Sequence, residues 1–407
     1  MVSLSVERLV QILPLLLNLI GCADVVVPFQ EIAPERPESG DVIAPYGTAD
    51  WTVDCNGGAD FDSIQDAIDA AVSGDWILVE PCTYRENLNY NGRSLYIQGR
   101  EGPENTILDA SGGYGLIAMR GETSQTAFTG FTIENANGAA VYASLASIHL
   151  EDVVITGTRG DFIFAGYGAD TELTNVEVTD NNESTAVVYT DRGSVQIDNS
   201  RLECGGSRIG LYLNHGAGQV DNSVVDCGRN YSMYATNTVG HIQRSILRGS
   251  AQSTNEDKHP EDSIDLYNVI LEGSYTAVYG NYMIVNSIID GGSISYTNSE
   301  EYPSGGVLAN SIVMNSTCAL NSAGTNVVVH TNFYDTTPSC TGETLVGVED
   351  NTDVDPEFVD AAGGDFHLAA GSPLRDAGTT DYTGADVDGT DNDVGVYGGQ
   401  FSLDGGW

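Results

Sequence analysis

Gln196-Ile-Asp-Asn-Ser-Arg-Leu-Glu-Cys204 and Gln219-Val-Asp-Asn-Ser-Val-Val-Asp-Cys227 are near copies of one another. With the Asn as anchor, the pattern recurs at Gly130, Asp152, Asn175, Asn199, Asn222, Arg244, Asn268, Asn286, Asn310 and His330, in steps of 22, 23, 24, 23, 22, 24, 18, 24 and 20 residues. A repeat of this length, sustained this far, signals a solenoid. Apolar residues stand two before and three after every anchor, from Phe128 and Ile133 in the first coil to Val328 and Phe333 in the last. Both columns are expected to point inward. A small or β-branched residue usually follows the anchor, on the face that position three shares. Five residues after the anchor come Asn135, Gly157, Asp180, Cys204, Cys227, Gly249, Gly273, Gly291, Asn315 and Asp335. Apart from the two Cys, these tolerate positive φ and mark a turn.

Short strands, tight turns and in-register stacking predict an all-β parallel β-helix of ten to twelve coils, each adding about 4.8 Å. No coil holds the i, i+3, i+4, i+7 stripe of a helical repeat. A left-handed β-helix would keep a strict hexapeptide rhythm, and these steps vary too much. Over residues 50–399 the chain resembles the pectin-lyase-like superfamily, and its Asn column is similar to that superfamily's asparagine ladder. The resemblance implies a right-handed parallel β-helix domain with capped ends. Asp62 or Ser63 can cap a short helix whose Ile64, Ala67, Ile68 and Ala71 share one face. With the strand after Ser73 this looks like the superfamily's N-terminal cap, which covers the first rung. Ser372–Gly378 and Asp386–Gly395 resemble a closing C-terminal cap.

The 407 residues carry 58 acids against 15 bases, a formal charge of −43. Such a surface repels DNA, RNA and anionic lipid and favours cations, neutral glycans or solubility in salt. Residues 1–22 read as an export leader: an apolar run ends Leu19-Ile20-Gly21-Cys22, similar to a bacterial lipobox with Cys22 as the lipidated residue. A plain secretory leader is the alternative, and both place the protein outside the cytoplasm. Ala23 after the Cys favours, by that resemblance, an outer-membrane anchor. Residues 23–49, with four prolines, read as a tether. Residues 250–262 and 297–306 read as loops inserted between coils.

Six further cysteines pair by coil. Cys204 and Cys227 share one turn column in consecutive coils, Cys318 and Cys340 lie about one coil apart, and Cys55 and Cys82 bracket the helix. Neighbouring strands are about 4.8 Å apart, within disulfide reach. Three disulfides are expected, consistent with export.

Motifs for nucleophilic hydrolysis, zinc proteolysis and nucleotide binding are missing. Three weaker signals remain. Ile155–Phe164 is similar to the pectinesterase segment whose Asp attacks the ester, which implicates Asp161, but its companion motifs are missing. Asp191, Arg192, Asn214, His215 and Asn237 stand just past the strand that carries Tyr142, Tyr189 and Tyr212. By resemblance to polysaccharide lyases, carboxylates there would hold Ca²⁺ and an Arg or Lys would act as base, which makes Asp191, Arg192 and His215 catalytic candidates. Asp386, Asp388, Asp391 and Asp393 form an Asp-rich loop suited to Ca²⁺, with an Asp-rich turn as the plain alternative.

Two functions stay open. One is a surface-anchored protein that binds polysaccharide or acts as a scaffold without catalysis. The other is a lyase or glycoside hydrolase working in the β-helix groove. The sharpest binding candidate is an aromatic column, Tyr142, Phe164, Tyr189, Tyr212 and Tyr234, in steps of 22, 25, 23 and 22 residues. Strand alternation puts these rings outside on one sheet. They stabilise the sheet as cross-strand pairs, or form a platform for sugar faces with Asp191 and Asn214 at its edge.

Overall fold

The structure, a computed structural model, describes residues 47–181, 184–257, 262–297, 305–322, 325–400 and 402. The expected leader with Cys22, the tether as far as Tyr46, and residues 258–261 and 298–304 of the two inserted loops lie outside the described residues. No helix among those described is long and apolar enough to cross a membrane.

The chain winds into a right-handed parallel β-helix of about twelve turns. Three parallel sheets run its length. In the first, Phe128, Leu150, Leu173, Ile197 and Val220 stand in register. In the second, Ile133, Ile155, Val178, Leu202 and Val225 do so. Both columns point into one continuous core along all ten repeats, as alternation predicts. The third sheet closes each coil with Val141, Phe164, Val188, Leu211 and Met233 inside.

The corner between the first and second sheets explains the repeat. All ten anchors, from Gly130 to His330, have positive φ. Asn and Asp reach that conformation at less expense than other side chains, and Gly at none. The next N–H points along the coil axis and finds a buried hydroxyl. Ser200, Ser223 and Ser287 donate from their backbone nitrogens to the Oγ of Ser223, Ser245 and Ser311, at 3.0, 3.1 and 3.1 Å. Each of these hydroxyls donates in turn to its own coil, as Ser223 Oγ does to Asp221 O at 2.6 Å. Outside the corner the anchors bond one another: Asn222 Nδ2 donates to Asn199 Oδ1 at 3.1 Å.

The second turn column is less regular. Asn135, Gly157, Asp180, Gly249, Gly291, Asn315 and Asp335 have positive φ; Gly273 does not. Cys204 and Cys227 are buried core residues, and the left-handed residue comes one later, at Gly205 and Gly228. The three expected disulfides are present: Cys55–Cys82, Cys204–Cys227 and Cys318–Cys340, with Cα separations of 6.4, 4.8 and 5.3 Å.

The helix α1 spans Ile64–Ala70, capped by Ser63 and seated on Ile64, Ala67 and Ile68. The Glu86 carboxylate accepts from Ser63 Oγ and from the backbone nitrogens of Ile64 and Gln65 at 2.9–3.0 Å, a favourable place for negative charge.

The other end departs from expectation. Residues 337–354 close the last rung: Asn351 donates to Val328 O at 2.8 Å and accepts from Thr331 N at 2.9 Å, standing in for the next coil's serine. The segment from Leu374 to Gly399 is not the closing cap. It folds back along the first–second corner as a strap. Asn268 Nδ2 donates to Val396 O and Gly398 O at 2.9 and 2.7 Å. Asn310 exchanges two bonds of 2.8 Å with Thr379. Ile270, Ile288, Ile312 and Met314 face outward on the second sheet and are buried by Phe366, Leu374, Val394 and Val396. Gly398 passes so close to Asn286 Nδ2 that a Cβ would sit 2.4 Å from it.

Candidate functional site

The third sheet carries the aromatic surface. Its register is Tyr142, Ala165, Tyr189, Tyr212, Tyr234. Phe164 therefore does not belong to the column: it pairs with Val141 and Val188 and is buried in the core. The ring over Ala165 comes from Tyr167 instead, with centroids 5.6 Å from Tyr142 and 5.4 Å from Tyr189. Tyr189 meets Tyr212 at 5.2 Å and Tyr212 meets Tyr234 at 5.5 Å, both edge to face. Tyr114 extends the row before Tyr142, Tyr231 flanks Tyr234, and Phe162 stacks on Tyr189 at 4.3 Å. The rings form a continuous herringbone ribbon, not a flat stack, presenting faces, edges and hydroxyls together. Burial first, then neighbouring Asp191, holds the Tyr189 phenol above its usual range; Tyr167 is raised likewise, by burial first. Both stay hydrogen-bond donors at neutral pH. Past Tyr234 the same outward column becomes Gln252, Thr276, Ser295 and Asn321.

Asp191, Arg192, Asn214 and His215 sit at the corner where the third sheet turns into the next coil. Asn214 Nδ2 donates to Asp191 Oδ1 at 2.9 Å. The two ring nitrogens of His215 face Asn214 Oδ1 and Asn237 Nδ2, each at 3.0 Å. Arg192 Nη1 lies 3.5 Å from Asp191 Oδ2. Arg192, His215 and Asn237 all have positive φ, so this is a second corner ladder with both imidazole nitrogens engaged. Asp161 stands apart at the opposite edge of the sheet, exposed, its carbonyl accepting from Thr185 N at 2.7 Å.

The strap rearranges the expected Ca²⁺ set. Asp386 and Asp393 come together with Asp376, with oxygens within 4.8 Å of one another. Asp388 and Asp391 are outside this group; Asp388 accepts from Thr390 in its own turn. The three carboxylates offer hard oxygen donors. Two of them also accept backbone N–H groups, Asp393 from Asp376 at 2.7 Å and Asp386 from Asp393 at 3.1 Å. Burial first, then neighbouring carboxylates, Asp393 for Asp386 and Asp376 for Asp393, raises both above the usual carboxylate range.

One pair escaped the sequence reading. His241 and Asp265 are neighbours on adjacent rungs of the first sheet's outer face. Burial pushes Asp265 up to about 6 and His241 down. Asp265 Oδ1 accepts from Met283 N at 3.1 Å and Ser263 Oγ at 3.2 Å. Neither residue sits in a motif; the only signal was their separation of one coil. A hollow of about 450 Å³ at the C-terminal end, lined by His330, Asp350 and Thr352 among others, holds a second His–Asp pair, His330 Nε2 lying 3.8 Å from an exposed Asp350 carboxylate.

No protein-family model matches the chain, and no curated protein matches it in sequence. Among solved structures it is similar to pectate lyase Pel9A, at 13% identity over 83% of this chain and 91% of that one, with a TM-score of 0.49. It is also similar to pectin methylesterase from carrot, at 15% identity over 79% and 95% of the two chains and a TM-score of 0.30. A pectin methylesterase in complex with a hexasaccharide gives 12% identity over 79% and 99%, with a TM-score of 0.26. None of these values assigns a role to a residue of this chain.

Proposed function

We propose that this protein is an extracytoplasmic, lipid-anchored β-helix that binds polysaccharide without cleaving it, with the tyrosine ribbon as its ligand face. One observation carries the reading: a continuous row of outward rings, from Tyr114 to Tyr234, occupies one sheet and stops where polar residues replace it. A saccharide presents apolar C–H faces and hydroxyl edges, and such a ribbon matches both. Asp191 and Asn214 stand at its edge as acceptors. The test is retention on a panel of polysaccharides with product analysis of the same samples. Retention without new reducing ends or unsaturated products is expected; turnover would overturn the non-catalytic reading. Anchoring through Cys22 predicts that Cys22→Ser leaves the membrane fraction, and an unchanged membrane-bound mature form contradicts it.

The His241–Asp265 pair favours a second reading, a lyase or hydrolase acting on the first sheet. A carboxyl group that titrates near 6 can donate a proton at neutral pH while an uncharged imidazole accepts one. Turnover abolished by Asp265→Ala would support it.

A further inference from the structure

Three segments meet at one imidazole in the hollow at the C-terminal end. His330 is the last anchor of the repeat, at positive φ where most coils have Asn. Its Nδ1 lies 2.8 Å from Ala377 O of the strap. A carbonyl oxygen only accepts, so Nδ1 carries the proton and the neutral ring keeps its lone pair at Nε2. Nε2 faces the Asp350 carboxylate at 3.8 Å, beyond hydrogen-bond length. Asp350 stands at the tip of a tight turn. Gly347 N donates to Asn351 O at 2.8 Å, Asn351 N donates to Val348 O at 3.1 Å, and Glu349 and Asp350 both have positive φ. The turn is joined to the anchor itself, since His330 N donates to Glu349 O at 2.9 Å. The other polar side chains lining the hollow are committed elsewhere. Asn351 bonds Val328 O and Thr331 N, and Thr352 Oγ1 donates to Asn332 Oδ1 at 2.8 Å. What remains turned to the hollow is one imidazole nitrogen with a lone pair and one exposed carboxylate.

We infer that His330 Nε2 and Asp350 hold a divalent transition-metal ion of the zinc type, with water completing its shell. Zinc binds imidazole nitrogen at about 2.0–2.1 Å and carboxylate oxygen at about 2.0–2.2 Å, which sets two tetrahedral ligand atoms about 3.4 Å apart. A small rotation of the Asp350 side chain, 82% exposed, brings the observed 3.8 Å to that value. Donation from Nδ1 to a carbonyl is the outer contact that fixes the tautomer of a ligand imidazole and raises its basicity. The nitrogen donor sets this seat apart from the Asp376–Asp386–Asp393 group, whose donors are all oxygen and suit harder ions. Among the described residues no further His, Cys or carboxylate joins His330 and Asp350 within ligand reach, so the ion keeps positions open to water. Bound there, it ties the last anchor to the closing turn and, through Ala377, to the strap.

The test is diethyl pyrocarbonate footprinting of the full chain, which reads each of its six His separately by mass spectrometry. Zn²⁺ on Nε2 blocks the nitrogen that the reagent attacks, and Ca²⁺ at the same concentration controls for the general acidity of the surface. Protection of His330 by Zn²⁺, saturating below about 1 mM, is expected, with none from Ca²⁺. Asp350→Asn should raise the Zn²⁺ concentration for half protection roughly tenfold or more, since even a supporting contact to a ligand carries that much affinity. Asn accepts positive φ as Asp does, so the turn is expected to persist, and circular dichroism checks the fold. His330→Asn, which installs the residue most anchors use, should remove one Zn²⁺ equivalent from a calorimetric titration. Modification of His330 that Zn²⁺ does not slow, equal protection by Ca²⁺, an unshifted midpoint in Asp350→Asn or an unchanged stoichiometry in His330→Asn each overturns the site.

Discussion

At the scale of single residues, the repeat is a hydrogen-bond device. An Asn at positive φ turns the corner, and the Ser that follows receives the N–H which that turn removes from the ladder. Ser223→Ala leaves the Ser200 N–H buried without an acceptor, so it should destabilise by about 1–3 kcal/mol. Urea unfolding reads this, and a change within about 0.5 kcal/mol, the size of an ordinary surface substitution, would contradict it. Asp265 makes the opposite kind of prediction. Its folded pKa of about 6 lies above the usual 3.8, so its contribution to stability is present below about pH 4 and is lost as pH rises to 6. Asp265→Asn keeps an acceptor for Met283 N and removes the buried charge. It should raise stability by about 1–2 kcal/mol at pH 7.5 and by little at pH 4. Equal effects at the two pH values would show that burial does not govern this carboxyl group.

At the scale of elements, strand register was legible wherever apolar and polar residues alternate, and it failed where they do not. Phe162-Ile-Phe-Ala-Gly-Tyr167 is apolar at successive positions, so pattern alone could not place Phe164. Pairing with Val141 and Val188 turned it inward and gave the ribbon Tyr167. The disulfides were legible because coil spacing fixes which cysteines meet. The strap was not. Its contacts reach back 47 to 130 residues, from a Gly- and Asp-rich stretch without period. The outward isoleucines of the second sheet, Ile270, Ile288 and Ile312, were the available sign that something covers them. Ending the chain after Ser372 removes Leu374, Val394 and Val396 and leaves Asn268 and Asn310 without their strap bonds. At roughly 1.5–3 kcal/mol per buried apolar side chain, several kcal/mol should go. Fluorescent-dye binding to exposed apolar surface should rise and the last coils should exchange amide hydrogens faster; unchanged exchange there would refute the strap's role.

At the scale of the whole molecule, the 407-residue chain carries a formal charge of −43, and self-repulsion works against the compact state of the stacked coils. Raising salt from about 0.05 to 0.5 M shortens the screening length several-fold and should raise the melting temperature; a fall would mean that the ion pairs outweigh the repulsion. The solenoid repeat announced the stacked coils, since ten copies of one pattern leave few other solutions. The ligand face was only partly announced: four of its tyrosines recur with the coil, whereas Tyr114, Tyr167 and Tyr231 join it through tertiary contacts. The claim that the ribbon is that face has a direct measurement. Polysaccharide retention is compared for the wild type, for Tyr189→Ala with Tyr212→Ala, and for Thr276→Ala with Ser295→Ala, the last pair lying on the same outward column beyond the ribbon. Loss of retention in the tyrosine variant alone, with circular dichroism unchanged in all three, is the predicted result; retention equal in all three would contradict the account.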